Sequence, residues 1–267
     1  MTVLVTGGTG NLGRELVPRL VASRHAVRVL SRRERPRTAS GVETVRGDLV
    51  TGDGIGEALA GIEVLVHCAS GTGTVRGLMY RSAKVTDVDA TSALLDAAKA
   101  QGVSPHVVYI SIVGIDKIPL GYYRAKLDTE KVIEASGLPY TILRTTQWHT
   151  LAEEFCRRLA SMPFVAAPKG VRLQLLDPGE VADRMADLVS APPTGHVPDM
   201  GGPVALEMKD VIKTYLDARG KKRPVTSMRF PGKTMRALRE GHNLAPAHAD
   251  GKITWEDWLA LHAARAT

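Results

Sequence analysis

Short apolar runs alternate with helical-period segments through the first half of the chain. Val3–Thr6 is the first run, and "NLGRELVPRLVAS" behind it carries apolar residues at helical spacing. "HAVRVL" and "VETVRGDL" are the second and third runs; "GIGEALAG" reads as a short helix and "IEVLVHCAS" as a fourth strand. "VDATSALLDAAKAQG" is an amphipathic helix with Gly102 as its C-terminal cap, and "HVVYIS" is a fifth strand. "YYRAKLDTEKVIEASG" is a further helix closed by Gly137, and "YTILR" a sixth strand. Strands that are apolar throughout are buried on both faces, which requires a parallel sheet. Alternation with helices makes this a doubly wound α/β fold, whose right-handed crossovers bring the ligand-binding strand ends to one edge.

After Thr145 the rhythm changes. "QWHTLAEEFCRRLASM" is helical, and "FVAAPKGVRLQLLDP" is extended chain with a turn at Lys169–Gly170. "GEVADRMADLVSA" is a helix, "PPTGHVPDMGGP" loop and short strand, "MKDVIKTYLDARG" a helix, "KRPVTSMRF" a strand, and "KTMRALREGHNL" and "TWEDWLALHA" helices. The expected organisation is a parallel-sheet domain over residues 1–145, to which later segments can return. A smaller α+β lobe over residues 146–267 is expected to cap it and leave a substrate cleft. There is no internal repeat and no low-complexity segment.

Composition narrows the function classes. A chain of 267 residues with 44% hydrophobic content builds a core without staples. Cys68 and Cys156 are far apart and fall in no paired spacing, so a reducing compartment is expected and a disulfide scaffold is not. No CxxC or HExxH occurs, and no metal site is expected. Met1 runs straight into "TVLVTG", with no leader pattern, and no apolar run approaches the roughly 18 residues of a membrane helix, so a cytoplasmic protein is expected. The net charge is +7 but the basic residues are dispersed, and aromatic content is 4%. Direct nucleic-acid binding is therefore not expected.

The candidate chemistry begins at "TGGTGNLG". Gly7, Gly10 and Gly13 form GxxGxxG between a strand and a helix. In a dinucleotide cradle Gly7 permits the tight turn, Gly10 lets the backbone approach a pyrophosphate, and Gly13 lets the helix lie close to the strand. Thr9, Asn11 and Leu12 complete the loop and the helix start, whose N–H groups meet phosphate charge. At the end of the second strand an acidic residue would favour NAD, but the chain has "VLSRR". Ser31, Arg32 and Arg33 offer a hydroxyl and two guanidinium groups suited to a 2′-phosphate, so NADP(H) is favoured; NAD(H) stays open. Asp48 in "RGDL" either accepts from an adenine amino group, with Leu49 against the ring, or caps the following turn. Ala69 and Ser70 end the fourth strand with small side chains that let a cofactor pass.

These segments, with "VVYISIVGID", "YYRAKLDTEKVIEASGLPYTILR" and the closing "TWEDWL", resemble the short-chain dehydrogenase/reductase superfamily in its atypical, NmrA-like, NAD(P)-binding branch. The resemblance implies a Rossmann domain with a small C-terminal substrate lobe. It also implies a YxxxK pair, which Tyr122 and Lys126 satisfy. Four residues apart on a helix, they share a face. Lys126 would reach the nicotinamide ribose and lower the tyrosine pKa, and Tyr122 would protonate a carbonyl oxygen as hydride arrives. The usual third member is a hydroxyl after the fifth strand. Ser111 stands there, but Ile112 and Val113 follow where active relatives carry further hydroxyls. In "TTQWHT" after the sixth strand, Trp148 is a candidate apolar wall, and His149 is either a polar substrate contact or a helix-start residue without a chemical role. Trp255 and Trp258 read as anchors of the last helix.

Three functions fit. The first is an NAD(P)H-dependent oxidoreductase acting on a small, fairly apolar carbonyl or quinone. The second is a non-catalytic NADP(H) sensor or regulator, and the third a tailoring enzyme for an aromatic natural product. The expected partner is a small-molecule substrate; a homodimer is compatible with the sequence.

Overall fold

The computed structural model describes residues 1–71 and 79–262. In chain order the elements are β1 (Thr2–Thr6), α1 (Asn11–Ala22), β2 (Ala26–Ser31), β3 (Glu43–Arg46), α2 (Ile55–Leu59) and β4 (Val64–His67). They continue with α3 (Tyr80–Ala83), a π-helical segment (Lys84–Asp89), α4 (Ala90–Ala100), β5 (His106–Ile112), α5 (Gly121–Ala135) and β6 (Tyr140–Thr145). Next come α6 (His149–Leu159), β7 (Val165–Pro168), β8 (Arg172–Gln174), α7 (Pro178–Ser190) and β9 (Gly195–His196). The last are β10 (Ala205–Glu207), α8 (Met208–Ala218), β11 (Val225–Met228), α9 (Lys233–Arg239) and α10 (Trp255–Leu261).

Seven strands form one sheet in the order β3-β2-β1-β4-β5-β6-β9. β1 pairs in parallel with β2 through Val3 and Val27, and with β4 through Val3 and Val64. Leu4, Leu65, Val107 and Ile142 of the strands are buried with Leu94 and Leu95 of α4 and Ile133 of α5. This is why those strands lack alternation: helices cover the sheet and the strands are apolar on both sides. The order reverses between β1 and β4, and such a switch point opens a crevice beyond the strand ends. The doubly wound Rossmann architecture is thus present.

The chain divides into two compact units. The first comprises Met1–Ser111, Leu120–Leu143 and Val181–Val197; the second comprises Ile112–Pro119, Arg144–Glu180 and the chain from Pro198 on. A single break after Thr145 does not describe this, because residues 112–119 group with the second unit and 181–197, including β9, with the first. The second unit has an α+β core in which Ala152 and Cys156 of α6 meet Val211, Ile212 and Tyr215 of α8 and Trp255 and Trp258 of α10.

One local expectation is corrected and one is extended. The helix read from Val88 is preceded by α3 and the π-helical segment, beginning at Tyr80. "KVTDV" is rich in β-branched residues, which masks it, yet Ala83 and Val88 pack with Ala125 of α5, and tertiary burial outweighs propensity. The turn at Gly170, with φ +73°, does form. It closes no hairpin: β7 pairs in parallel with β11, and β8 antiparallel with β10. Among the described residues no helix is long and apolar enough to cross a membrane.

Candidate nucleotide and catalytic site

A cleft of about 360 Å³ lies at the strand ends of the first unit. It is lined by Gly7, Thr9 and Gly10 after β1, by Ser31, Arg32 and Arg33 at the end of β2, by Asp48 and Leu49 after β3, and by Cys68, Ala69 and Ser70 after β4.

The glycine loop has the shape of a cradle. Gly7 has φ +71°, and a Cβ there would meet the Ala69 nitrogen at 2.6 Å. At Gly13 a Cβ would lie 2.4 Å from both the Gly7 carbonyl oxygen and the Gly8 Cα, so only glycine lets α1 approach the loop this closely. Gly10 donates its N–H to the Gly7 carbonyl at 2.9 Å. Gly10 caps α1 without a side-chain bond, and the first turn, which begins with Asn11, has no acidic residue. The positive end of the helix is thus left to an external anion. Leu12 is buried with Leu16 and Val17, so only its backbone faces the loop's chemistry. A phosphate-bearing dinucleotide fits this set.

At the end of β2 the Ser31 hydroxyl accepts the Arg33 N–H at 3.1 Å. The Arg32 and Arg33 side chains are exposed and form no ion pair among the described residues. Asp48 Oδ1 accepts the Val50 N–H at 2.8 Å, so one carboxylate oxygen is used in the turn. Leu49 packs on the core of the first unit. Ala69 donates its N–H to Thr6 Oγ1 at 3.4 Å. The Cys68 thiol is pushed up to about 12 by burial, which makes it a poor nucleophile.

Tyr122 and Lys126 sit one turn apart on α5. The Tyr122 ring is half-buried and packs on the cluster of Ala83, Val88 and Ala125. Its hydroxyl lies 3.0 Å from Ser70 Oγ. Lys126 is only 4% exposed. It donates to the Ile110 carbonyl at 2.8 Å and sits 4.1 Å above the centre of the Tyr109 ring. Burial lowers its pKa to about 8, with Asp87 and Glu130 opposing that shift. Ser111, at the end of β5, has a buried Oγ with no hydrogen-bond partner among the described residues. An unsatisfied hydroxyl there costs about 1–3 kcal/mol.

A polar layer beneath the cleft escaped the sequence reading. His67 lies between Thr6 Oγ1 at 2.7 Å and Thr91 Oγ1 at 2.9 Å, stacked on Tyr109. Burial lowers its pKa to about 4. Asp87 is 1% exposed and accepts from Ser70, Gly71 and Thr86. The available signal was a polar residue inside an apolar run, as in "VLVHCAS". On α5, Glu130 and Glu134 bring carboxylate oxygens within 4.8 Å of a His196 nitrogen. His196 Nε2 is 2.7 Å from Glu134 Oε1; spacing along the chain cannot reveal this contact.

In the second unit, Trp148 is half-buried and donates Nε1–H to Thr145 Oγ1 at 3.0 Å. His149 has 0% exposure. It stacks on Trp255 at 5.7 Å and contacts Trp258 at 5.6 Å between ring centres. Neither imidazole nitrogen has a hydrogen-bond partner among the described residues, and burial lowers its pKa to about 4. Of the two readings open for His149, substrate contact or helix-start residue without a chemical role, this enclosure among tryptophans favours the second.

A family profile described as NAD(P)H-binding matches residues 7–161, more than half of the chain. The chain is 33% identical over 150 residues to photosystem II assembly factor Ycf39 of Cyanophora paradoxa, covering 54% of this chain and 44% of that protein. It is 28% identical over 185 residues to Quinone oxidoreductase 2 of Escherichia coli (strain K12), covering 67% of this chain and 58% of that protein. The chain thus spans about half the length of these curated relatives. In fold it matches the NADPH complex of the Escherichia coli quinone oxidoreductase QOR2, with a TM-score of 0.78 at 18% identity over 97% of this chain and 99% of that one. From the profile match, the cradle and the parallel sheet together, the chain belongs to the NAD(P)H-binding family, in the atypical, NmrA-like branch of the short-chain dehydrogenases/reductases.

Proposed function

We propose that the protein is an NADP(H)-dependent oxidoreductase that reduces a small, fairly apolar carbonyl or quinone. The observation that carries this reading is the Tyr122 hydroxyl near the cleft, bonded to the cleft residue Ser70, with the Lys126 ammonium one turn away on the same helix. When bound, the reduced nicotinamide supplies a hydride. Tyr122 then gives its hydroxyl proton to the substrate oxygen. Lys126, with a pKa of about 8, is mostly protonated at neutral pH and favours the phenolate left behind. Arg32 and Arg33 are the 2′-phosphate ligands in this reading, held where exposed guanidinium groups form bidentate bonds. NAD(H) would fit the same cradle without using them.

The relationship to Quinone oxidoreductase 2 supports a quinone-type substrate. The test is NADPH absorbance loss against a panel of quinones and ketones, wild type beside Tyr122→Phe. Turnover that falls at least about a hundredfold in the variant, with NADPH affinity unchanged, is the expected result. A second reading, a non-catalytic NADP(H)-binding regulator or assembly protein, is favoured by the enclosed Ser111 hydroxyl, which has no partner among the described residues, and by the relative named as an assembly factor. NADPH binding without turnover on any panel member would select it.

A further inference from the structure

We propose that Ser70 and Asp87 are a positioning pair for Tyr122, in which the Ser70 hydroxyl shifts its one proton between the Asp87 carboxylate and the Tyr122 oxygen. The proposal rests on the reading of Tyr122 as proton donor. Ser70 Oγ lies 2.8 Å from Asp87 Oδ2 and 3.0 Å from the Tyr122 hydroxyl. An ionised carboxylate only accepts, and serine has one proton to give. The charge-assisted bond to Asp87 is the stronger, so in the resting state Ser70 donates there and Tyr122 donates to Ser70.

Asp87 is built for this task. It sits in the π-helical segment, an irregularity that recurs at functional sites. A buried carboxylate is costly unless hydrogen-bonded. Besides Ser70, its Oδ1 accepts the Gly71 N–H at 2.9 Å and the Thr86 hydroxyl at 2.8 Å. Asp87 therefore stays satisfied when Ser70 turns away. With a reduced nicotinamide bound to supply hydride to the carbonyl carbon, the carbonyl π pair would move to oxygen, and Tyr122 would give that oxygen its proton. Ser70 would then turn its O–H from Asp87 to hydrogen-bond the phenolate while keeping its proton, and water would return the proton to the Tyr122 oxygen. Ser111, the hydroxyl implied by family resemblance, has no partner among the described residues; Ser70, just after β4, places a hydroxyl 3.0 Å from that of Tyr122.

Among the described residues, the ionisable groups that act on Tyr122 include Tyr109 of β5, Tyr123 beside it on α5, and Asp87 of the π-helical segment through Ser70; Lys126 of α5 in turn feels Asp87, Glu130 and Cys68. The test is an ultraviolet difference titration of the cofactor-free protein, with Tyr122→Phe as the blank that isolates one of the six tyrosines. In Asp87→Asn the Tyr122 step should move to lower pH, because a negative neighbour is gone. In Ser70→Ala it should move to higher pH, because the phenolate loses its donor, and Ser70→Thr should restore the wild-type step. A fold disturbance does not shift one tyrosine in opposite directions. With the quinone panel, Ser70→Ala should lower kcat about tenfold with KM unchanged, and Ser70→Thr should recover it. Any other pattern of titration shifts overturns the pair. If the shifts appear and nothing turns over, the pair stands and the oxidoreductase reading falls. If Tyr122→Phe abolishes turnover and the titration does not move, the reading stands and the pair falls.

Discussion

The enclosed imidazole of His149 makes stability depend on pH in a way one substitution should remove. Its pKa falls from 6.5 to about 4 because burial penalises the charged form. In the unfolded chain the ring takes up a proton near pH 6.5; in the folded protein it does not until about pH 4. The unfolded state therefore binds more protons in this window, and stability is lost as pH falls through it. At 1.36 kcal/mol per pKa unit, the full loss is about 3 kcal/mol, and between pH 7 and pH 5 it is about 2 kcal/mol. His149→Phe keeps a flat ring beside Trp255 and Trp258 and deletes two nitrogens that have no hydrogen-bond partner among the described residues. The three tryptophans all lie in the second unit, so their fluorescence during urea denaturation reports the region that holds His149. The variant should be at least as stable as wild type at pH 7 and should lose about 2 kcal/mol less on going to pH 5. Equal losses in the two proteins would refute the assignment of His149 as a buried neutral group.

Further substitutions probe the cleft. Gly13→Ala places a methyl 2.4 Å from backbone atoms of Gly7 and Gly8. It should destabilise the protein by about 1–3 kcal/mol and abolish NADPH binding, read by thermal unfolding and NADPH fluorescence titration. Arg32→Ala combined with Arg33→Ala should weaken NADPH binding at least about tenfold and leave NADH affinity unchanged. Equal loss for both cofactors would remove the 2′-phosphate assignment. Cys68, with its pKa pushed up to about 12, should react with a thiol reagent far more slowly than free cysteine at pH 8, as followed in a Cys156→Ser background.

The first unit was readable because its signals are local and redundant. "HVVYIS" is apolar on both faces because β5 lies inside the sheet, and "GGTGNLG" combines a left-handed turn at Gly7 with steric exclusion at Gly13. What could not be read depends on distant partners. The pairing of β7 with β11 joins Val165 to Val225, and no periodicity in either segment names the other. β9 is two residues long, too short for any pattern. Asp87 falls in a stretch with weak helix signals, and its role emerges only when Ser70 and Gly71 are folded onto it. For His149 the local sequence leaves a polar contact and a chemically silent helix start both open, because the tryptophans that enclose it come from more than a hundred positions later.

The late strand β9 has a consequence for how the chain is made. β6 binds it through Thr141 and Ile142, with the Val197 N–H donated to the Ile142 carbonyl at 3.1 Å. A fragment ending at Thr145 would carry the glycine cradle and the Tyr122–Lys126 pair yet present the outer edge of β6 unpaired, an invitation to intermolecular strand addition. On the ribosome the sheet cannot be completed until Val197 has emerged. The pairing predicts that residues 1–145 are not a separable module: cutting the gene there should yield aggregate rather than a minimal cofactor-binding protein.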